Sequence, residues 1–227
     1  MRRCATAPHP PCPRSEDGRI GGAFLALSRL QRVCVYCASS TEAHPEHYEA
    51  TRTLGRLLAE AGITIVYGGG SVGSMGALAD AALAAGGKLV GILPKFMNDL
   101  EWGHKSLTEL RLVDDMHHRK RMMIEESDAI VALPGGSGTF EELLEAITWK
   151  RLGLVVSPIV IVNVRGFYDP LRDLLDRAIA ERFMDERHRQ MWTFVDRPEE
   201  VLPAIRAAPE WSAEARSFAR PGAGPRG

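Results

Sequence analysis

Two glycine-rich segments each follow a short apolar run and precede a helix-forming stretch. The first is GGGSVGSMG, residues 68–76, which includes Gly69 and Gly70; the second is PGGSGT, residues 134–139. Glycine lets a backbone approach a ligand closely and adopt positive φ, and a helix start offers free N–H groups with a partial positive charge. One such loop alone is as compatible with a tight turn as with a ligand. Two loops in neighbouring units predict a site for a phosphate-bearing small molecule.

The first loop also matches two other glycine patterns. Gly68, Gly70 and Gly73 fit G-x-G-x-x-G, the dinucleotide fingerprint, but the next strand ends in GILP without the expected acidic residue. Gly69, Ser71 and Gly73 fit G-x-S-x-G, a nucleophile elbow, yet no HGGG-type oxyanion segment accompanies it. The chain also has no G-x-x-x-x-G-K-[ST]. These absences disfavour an NAD enzyme, an α/β-hydrolase and a P-loop ATPase.

Charged residues are expected at the same rim as the glycine loops. A predicted helix over 115–125 carries the basic run HHRKR, residues 117–121, with Arg119 at its centre. Such a run is most often a solvated face or a nucleic-acid patch, but beside a glycine loop it favours one anionic ligand, because arginine forks onto phosphate or carboxylate. On the next helix, Thr139 and Glu142 have the T-x-x-E spacing of a capping box. The alternative for Glu142 is a functional carboxylate within reach of an arginine.

Short β-branched runs alternate with helix-period segments, as expected for βαβ units. The predicted strands are 33–36, 64–67, 88–93, 110–113, 129–133 and 159–163, and the predicted helices are 44–60, 75–85, 115–125, 140–152, 170–182 and 198–205. The run IVIV at 159–162 is apolar throughout, as burial on both faces of a parallel sheet requires. We therefore predict a single-domain α/β fold over 32–208, a doubly wound (Rossmann-like) parallel sheet with helices on both faces. Ligands bind such sheets beyond the carboxyl ends of the strands.

Composition places the chain among ordinary globular proteins and narrows its partners. Of its 227 residues 45% are hydrophobic, and 28 Lys+Arg oppose 29 Asp+Glu, a formal net charge of −1. That balance gives no reason to expect a nucleic-acid polymer as a partner. The longest apolar stretch is interrupted by Ser157 and Pro158 and is shorter than the ~20 residues of a membrane-spanning helix. We expect no membrane association.

The cysteines and the chain ends carry less information. Four cysteines, at 4, 12, 34 and 37, are too few and too clustered for a disulfide scaffold, which favours a reducing, cytoplasmic location. Cys34 and Cys37 form a C-x-x-C inside an apolar run, where a spacing of three puts them on opposite strand faces, so we expect no metal or redox site. Residues 1–31, rich in Pro, Arg and small residues, predict a poorly ordered extension, and 209–227, closing in RPGAGPRG, a C-terminal tail.

Two motifs that frame the predicted site carry a family resemblance. Residues 134–142, PGGSGTFEE, match P-G-G-x-G-T-x-x-E, and residues 116–120, MHHRK, match M-H-x-R-K. Their separation, the first glycine loop and the stretch EWGHKSLTEL at 101–110 fit the same pattern. Together they resemble the LOG ("lonely guy") family of cytokinin riboside 5′-monophosphate phosphoribohydrolases. The likeness covers about residues 32–206, most of the chain, and the paired motifs are specific.

That resemblance implies hydrolysis of the N-glycosidic bond of a cytokinin riboside 5′-monophosphate, or of AMP, to an adenine-type base and ribose 5-phosphate. It implies no organic cofactor and no metal, and it implies a homodimer, with larger assemblies in some members. Arg119 and Glu142 would be the catalytic pair. The substrate and its phosphate would be held by the matching positions, namely Ser40, Gly69, Gly70, Glu101, Lys120, Gly135, Gly136, Ser137, Gly138, Thr139 and Thr148.

The implied chemistry suits these residue types. Departure of the base leaves an oxocarbenium-like ribose, so a carboxylate at Glu142 would stabilise developing positive charge and orient water or ribose hydroxyls. Arg119 would align that carboxylate and the phosphate end of the substrate. Lysine decarboxylation is disfavoured, because none of the five lysines lies in a local signature for pyridoxal phosphate. The alternative is a non-catalytic nucleotide-binding carrier with a Rossmann-like fold, and the choice between a prenylated and a plain adenine base stays open.

Overall fold

Seven strands and seven helices alternate along residues 30–100 and 102–219, which a computed structural model describes. The strands are β1 (Arg32–Tyr36), β2 (Thr64–Tyr67), β3 (Leu89–Pro94), β4 (Glu109–Val113), β5 (Ala129–Ala132), β6 (Ile159–Val162) and β7 (Trp192–Val195). The helices are α1 (Pro45–Glu60), α2 (Gly73–Ala84), α3 (Lys95–Asp99), α4 (Met116–Glu125), α5 (Ser137–Arg151), α6 (Asp169–Ala180) and α7 (Val201–Ala207). Short 3-10 turns lie at Val164–Gly166, Glu186–Met191, Pro198–Glu200 and Ala213–Ser217.

The strands form one parallel sheet in the order β4-β3-β2-β1-β5-β6-β7. Val33 of β1 pairs with Ile65 of β2 on one side and with Ala129 of β5 on the other. The chain winds outward from β1 to β4 and then returns to continue from β5 to β7, so the winding reverses between β1 and β5. A crevice opens at the carboxyl ends of the strands at such a point. The predicted doubly wound parallel sheet is confirmed.

Helices cover both faces of the sheet. One apolar layer contains Leu54 of α1 and Leu78 of α2, together with residues of α7. The other contains Met123 of α4 and Leu143 of α5, together with a residue of α6. Strands β3, β5 and β6 are buried along their whole length. The continuous apolar run at Ile159–Val162 therefore has the two-sided burial that its composition predicted.

In the part of the chain that the structure describes, Cys34 and Cys37 form no disulfide, and they lie in opposite apolar layers, as their spacing predicted. Burial raises the pKa of both thiols. A thiol that stays protonated is a poor nucleophile and a poor metal ligand. Within the described ranges, no group of three or more His, Cys, Asp or Glu is placed to hold a metal ion. Among the described helices, none combines the length and apolarity that crossing a membrane requires.

Three elements depart from the sequence prediction. Helix α5 begins at Ser137, three residues before the predicted start at 140. Strand β7 was not predicted, because a four-residue edge strand has too short a pattern to stand out. Helix α3 was also missed, and it buries none of its five side chains, so it has no apolar stripe to read.

The segment after α7 packs against the body of the protein as far as Ala219, in contrast to the predicted C-terminal tail. The indole N–H of Trp211 donates to the carbonyl oxygen of Lys150 at 2.8 Å, and the Arg187 guanidinium lies 3.8 Å from the centroid of the Phe218 ring. These aromatic residues find partners only in tertiary contacts, which local composition does not reveal. Residues 1–29 of the predicted N-terminal extension and 220–227 of the tail lie outside the described residues.

Candidate active site

The second glycine loop joins β5 to α5 where the winding of the sheet reverses. The Leu133 N–H donates to the Tyr36 carbonyl oxygen at 2.9 Å, which holds the ends of β5 and β1 together. Gly136 is the N-cap of α5 in extended backbone, and among the described residues no side chain caps this helix start. Residues 136–138 are exposed. The first N–H groups of α5 are therefore directed at the crevice and suit an anion such as a phosphate.

The position of the helix start settles the role of the T-x-x-E pattern. Thr139 is the third residue of α5 and not its N-cap, so the capping-box interpretation of Glu142 is wrong. Thr139 is instead buried against the loop, and a Cβ at Gly135 would overlap its side chain. Gly135 thus lets the loop fold onto Thr139. The helix begins early because Gly136 adopts the extended conformation that an N-cap requires.

Arg119 and Glu142 form a buried ion pair between α4 and α5. Arg119 Nη1 lies 3.2 Å from Glu142 Oε1, and the two residues are only 8% and 7% exposed. Arg119 Nε donates to the Ile92 carbonyl oxygen of β3 at 3.0 Å. Asp115 caps the start of α4, where its carboxylate accepts from the His118 N–H at 2.7 Å. The guanidinium is therefore held from two sides and aligned on the carboxylate.

Burial dominates the electrostatics of Glu142. It raises the pKa of this carboxyl above the usual 4.5, and the positive charge of Arg119 opposes that rise. A carboxylate in a poorly solvated site interacts strongly with charge that develops nearby, because water does not screen it. Glu142 is thus suited to stabilising a cationic centre in the crevice.

The raised pKa of Glu142 predicts an acid limb in the rate of any reaction that needs its carboxylate. We expect kcat/KM to fall as the pH drops through a value above 4.5, because burial favours the protonated, uncharged form. The measurement is kcat/KM across the acid and neutral range, with circular dichroism at each pH to separate unfolding from titration. A limb at or below 4.5 would contradict the carboxylate's role.

Lys120 faces α5 and not the glycine loop. Its Nζ pairs with the Glu141 carboxylate and lies 3.0 Å from Glu145 Oε2, and the residue is buried. Burial alone would lower the pKa of Lys120, but hydrogen bonds to Glu141 and Glu145 outweigh it and raise the pKa. The charged amine joins α4 to α5 and so maintains the spacing between Arg119 and Glu142. In the described chain, its contacts are structural.

The first glycine loop packs directly against Arg119. A Cβ at Gly68 would overlap Nη2 of the guanidinium. Gly69 has a φ of +77°, in the left-handed region that favours glycine. The Tyr67 hydroxyl donates to the Gly70 carbonyl oxygen at 3.2 Å, which restrains the loop beyond the end of β2. The loop therefore forms one wall around the Arg119–Glu142 pair.

Replacing Gly68 with alanine should displace Arg119 and reduce activity by about 10²-fold, since misplacement by about 1 Å has that cost. The test is kcat/KM of Gly68→Ala, alone and combined with Arg119→Ala. We expect the double variant to be no slower than Arg119→Ala, because the guanidinium that Gly68 accommodates is then absent. If Gly68→Ala lowered kcat/KM as much in Arg119→Ala as in the wild type, Gly68 would not act through Arg119.

Ser40 meets the first glycine loop from the end of β1. Gly73 has a φ of +61°, and a Cβ there would overlap the Ser40 carbonyl oxygen. The Tyr48 hydroxyl donates to the same carbonyl oxygen at 2.8 Å, and the Met75 N–H donates to the Ala38 carbonyl oxygen at 3.0 Å. Ser40 is exposed at the rim of the crevice. The structure thus gathers Ser40 and the two glycine loops at the carboxyl edge of the sheet.

One predicted site residue, Thr148, is not brought to this crevice, and another, Glu101, is not among the residues that the structure describes. Thr148 lies on α5, six positions after Glu142, which is about 120° around the helix and about 9 Å along its axis. Its hydroxyl donates to the Leu144 carbonyl oxygen at 2.8 Å. The neighbour of Glu101, Trp102, accepts a hydrogen bond from the Ser71 N–H at 3.0 Å, so the chain beside Glu101 passes the first glycine loop.

Sequence reasoning missed the supporting residues of the site. Asp115 positions the helix that carries Arg119, and Glu141 and Glu145 hold Lys120. Local signals existed for both features. Aspartate is a favoured N-cap residue, and glutamates four positions apart on α5 lie on one helix face.

The fold and the crevice define a class: a Rossmann-like α/β protein with an exposed helix start at the crevice and a buried Arg–Glu pair. Residues 75–205 match the family model described as "possible lysine decarboxylase". The chain is 43% identical over 164 residues to the cytokinin riboside 5′-monophosphate phosphoribohydrolase LOG of Oryza sativa subsp. japonica, covering 72% of this chain and 68% of that protein. It is 43% identical over 164 residues to LOG7 of Arabidopsis thaliana, covering 72% and 76%.

A longer match extends to a third relative, the probable cytokinin riboside 5′-monophosphate phosphoribohydrolase LOGL2 of Oryza sativa subsp. japonica. Identity is 40% over 192 residues, covering 85% of this chain and 79% of that protein. The chain therefore belongs to the LOG family, as its paired motifs predicted.

Solved structures share the fold at lower identity. The molybdenum cofactor binding protein of Rippkaea orientalis has a TM-score of 0.61 and 20% identity, covering 79% of this chain and 97% of that chain. The molybdenum cofactor carrier protein of Chlamydomonas reinhardtii has a TM-score of 0.59 and 19% identity, covering 78% and 97%. At these identities the likeness concerns the fold alone.

Proposed function

We propose that this protein hydrolyses the N-glycosidic bond of cytokinin riboside 5′-monophosphates, releasing an adenine-type base and ribose 5-phosphate. The observation that carries the proposal is the buried Arg119–Glu142 pair beside the uncapped start of α5. Relatives about 40% identical over most of the chain are named as phosphoribohydrolases of this kind. AMP, which has the same ribose phosphate and a plain adenine, is the second candidate substrate.

In the proposed complex the phosphate lies on the first N–H groups of α5, those of Ser137, Gly138 and Thr139. This contact supplies binding energy remote from the bond that breaks, and it aligns the ribose with Glu142. Gly69, Gly70 and Ser40 line the opposite side of the crevice. The free backbone groups and exposed position of residues 136–138 support this orientation.

The bond between C1′ and the base nitrogen then breaks, and its electron pair leaves with the base. The ribose becomes oxocarbenium-like, and the Glu142 carboxylate stabilises that positive charge. Water adds a hydroxyl to C1′, and its remaining proton ends on the departing base. The positive charge of Arg119 favours the ionised form of the carboxylate, and the 3.2 Å contact orients it.

The test is chromatography of AMP and isopentenyladenosine monophosphate after incubation with the purified protein, alongside Glu142→Gln. Release of free base by the wild type and not by the variant supports the proposal, and the relative rates identify the preferred base. Bound nucleotide without release of base from either substrate would overturn it and indicate the non-catalytic carrier.

We also propose that the protein is a homodimer that uses the exposed face of α5. Phe140 and Leu144 are 39% and 42% exposed and, with Thr148, form one stripe at four-residue spacing. The Phe167 ring stacks on Phe140 at 6.0 Å between centroids and extends this apolar surface. Contiguous exposed apolar side chains are typical of protein interfaces. A second copy on this face would cover them, and it would bring Thr148 of one copy toward the crevice of the other.

Light scattering of Leu144→Glu tests this interface, because a charge at its centre should convert the dimer to a monomer. Mixing two inactive variants, Glu142→Gln and Thr148→Val, tests the shared site. Activity should return on mixing, since the hybrid dimer has one intact crevice. A wild type that is monomeric by light scattering would contradict the proposal.

We further propose a cytoplasmic location, which the unpaired buried thiols of Cys34 and Cys37 support.

A further inference from the structure

His104 connects α2 with the segment that follows α3. Its side chain is 11% exposed, and Nε2 lies 3.1 Å from Asp80 Oδ1 on α2. Nδ1 accepts a hydrogen bond from the Ser106 N–H at 3.2 Å. Because Nδ1 accepts, the proton of the neutral ring is on Nε2, which donates to Asp80. Both ring nitrogens are thus engaged, and the orientation of the ring is defined.

The backbone beside this ring pairs with the first glycine loop. The His104 N–H donates to the Gly69 carbonyl oxygen at 2.9 Å. Gly103 forms an antiparallel bridge with Gly70, and the Ser71 N–H donates to Trp102 at 3.0 Å. Residues 102–104 therefore act as a short strand along the glycine loop. Whatever anchors this strand also restrains the loop.

The glycine loop in turn determines the space available to Arg119. Gly68 contacts the guanidinium so closely that a Cβ would overlap it, and Arg119 also contacts Ile92, Glu142 and the Met116 sulfur. If the loop moved outward, the guanidinium would gain room on that side. Its alignment on Glu142 would then loosen, although neither ion-pair partner had changed.

We propose that Asp80 and His104 form a latch that positions the first glycine loop against Arg119, and so supports the release of base. This inference rests on the proposed function. Neither latch residue touches the Arg119–Glu142 pair in the contacts described, so both are positioning residues. The Asp80 side chain is 76% exposed, and a hydrogen bond to a carboxylate that water can also solvate adds little to global stability. Loss of the latch should therefore affect catalysis more than folding.

The latch predicts a specific pattern of kinetic parameters with AMP as substrate. His104→Ala and Asp80→Ala should each lower kcat roughly tenfold, because the loop is no longer held, with little change in KM or Tm. The double alanine variant should be no slower than either single variant, because both remove the same contact. His104→Gln should recover most of the activity, since its amide can donate to Asp80 and accept from Ser106. Asp80→Asn, which keeps the acceptor oxygen, should recover it too.

Hydrogen exchange of the Ser71 and His104 amides supplies a readout that does not depend on activity. Both amides should exchange faster in the alanine variants and at the wild-type rate in Glu60→Ala, which alters an exposed ion pair on α1. Unchanged exchange in His104→Ala would overturn the latch even if the wild type released no base. A wild-type kcat in His104→Ala would also overturn it. So would losses of kcat and of Tm that are as large in His104→Gln as in His104→Ala.

Discussion

Glu142→Gln is expected to lower the rate of base release by about 10³-fold, the upper end of the range for removing one charge-stabilising group. Glutamine has the shape of glutamate but no negative charge, so it cannot stabilise an oxocarbenium-like ribose. The loss should appear in kcat, because the carboxylate acts when the positive charge develops and not when the phosphate binds.

Folding should survive this substitution. Burial raises the pKa of Glu142, so the folded state favours the protonated form more than the unfolded state does. The ionised carboxylate therefore reduces stability as the pH rises from 4.5 through the folded-state pKa. Glutamine resembles the protonated form, and its amide oxygen can still accept from Arg119. We expect a Tm at neutral pH no lower than that of the wild type.

The measurement is steady-state release of free base, with Glu125→Gln as the matched control. Glu125 lies exposed at the end of α4, so its neutralisation should leave kcat unchanged. A Glu142→Gln protein that folds normally and keeps more than a tenth of the wild-type kcat would rule out the proposed role of this carboxylate.

Arg119→Ala is expected to lower kcat/KM by about 10²- to 10³-fold and to move the acid limb of the pH profile upward. Removal of the guanidinium leaves Glu142 buried without its opposing positive charge, so burial raises the pKa of the carboxyl further. In the proposed complex the phosphate end of the substrate would also lose a neighbouring cation. The substitution thus both raises the pKa of Glu142 and weakens the hold on the phosphate. The two effects can be separated because only the first depends on pH.

Arg119→Lys distinguishes charge from geometry. Lysine keeps the positive charge but lacks the planar guanidinium that contacts both the Ile92 carbonyl oxygen and the Glu142 carboxylate. We therefore expect a kcat/KM between those of the wild type and Arg119→Ala. Arg121→Ala is the matched control, since Arg121 is exposed two positions along α4. An Arg119→Ala enzyme whose acid limb stays at the wild-type pH would contradict the electrostatic coupling.

Much of this fold could be predicted from the amino-acid sequence. Continuous apolar runs such as that at Ile159–Val162 indicate strands buried on both sides, and their alternation with helical periods indicates a parallel sheet. The two glycine loops predicted a phosphate site at the carboxyl edge of the sheet, because each loop follows a strand and ligands bind such sheets beyond the carboxyl ends of the strands. The spacing of the arginine and glutamate motifs predicted the family.

Other features could not be predicted from a local sequence pattern. The start of α5 at Ser137 follows from the extended conformation of Gly136, which a T-x-x-E pattern does not encode. The packing of Trp211 and Phe218 depends on Lys150 and Arg187, which are distant in sequence. Strand β7 is a strand because Ile159–Val162 lies beside it. For β7, Trp211 and Phe218, partners that are distant in sequence determine the structure.

Residue types and spacing were thus enough to establish the class of fold and the family, and to predict the edge of the sheet at which a phosphate would bind and the groups that would react. The folded chain was needed to bring Arg119 within 3.2 Å of Glu142, to bury both, to direct Lys120 toward α5, and to turn Thr148 away from the crevice. The physical reason is that burial and pairing set the pKa and orientation of a charged group. Both arise from the packing of α4, α5 and β3, which no local pattern specifies.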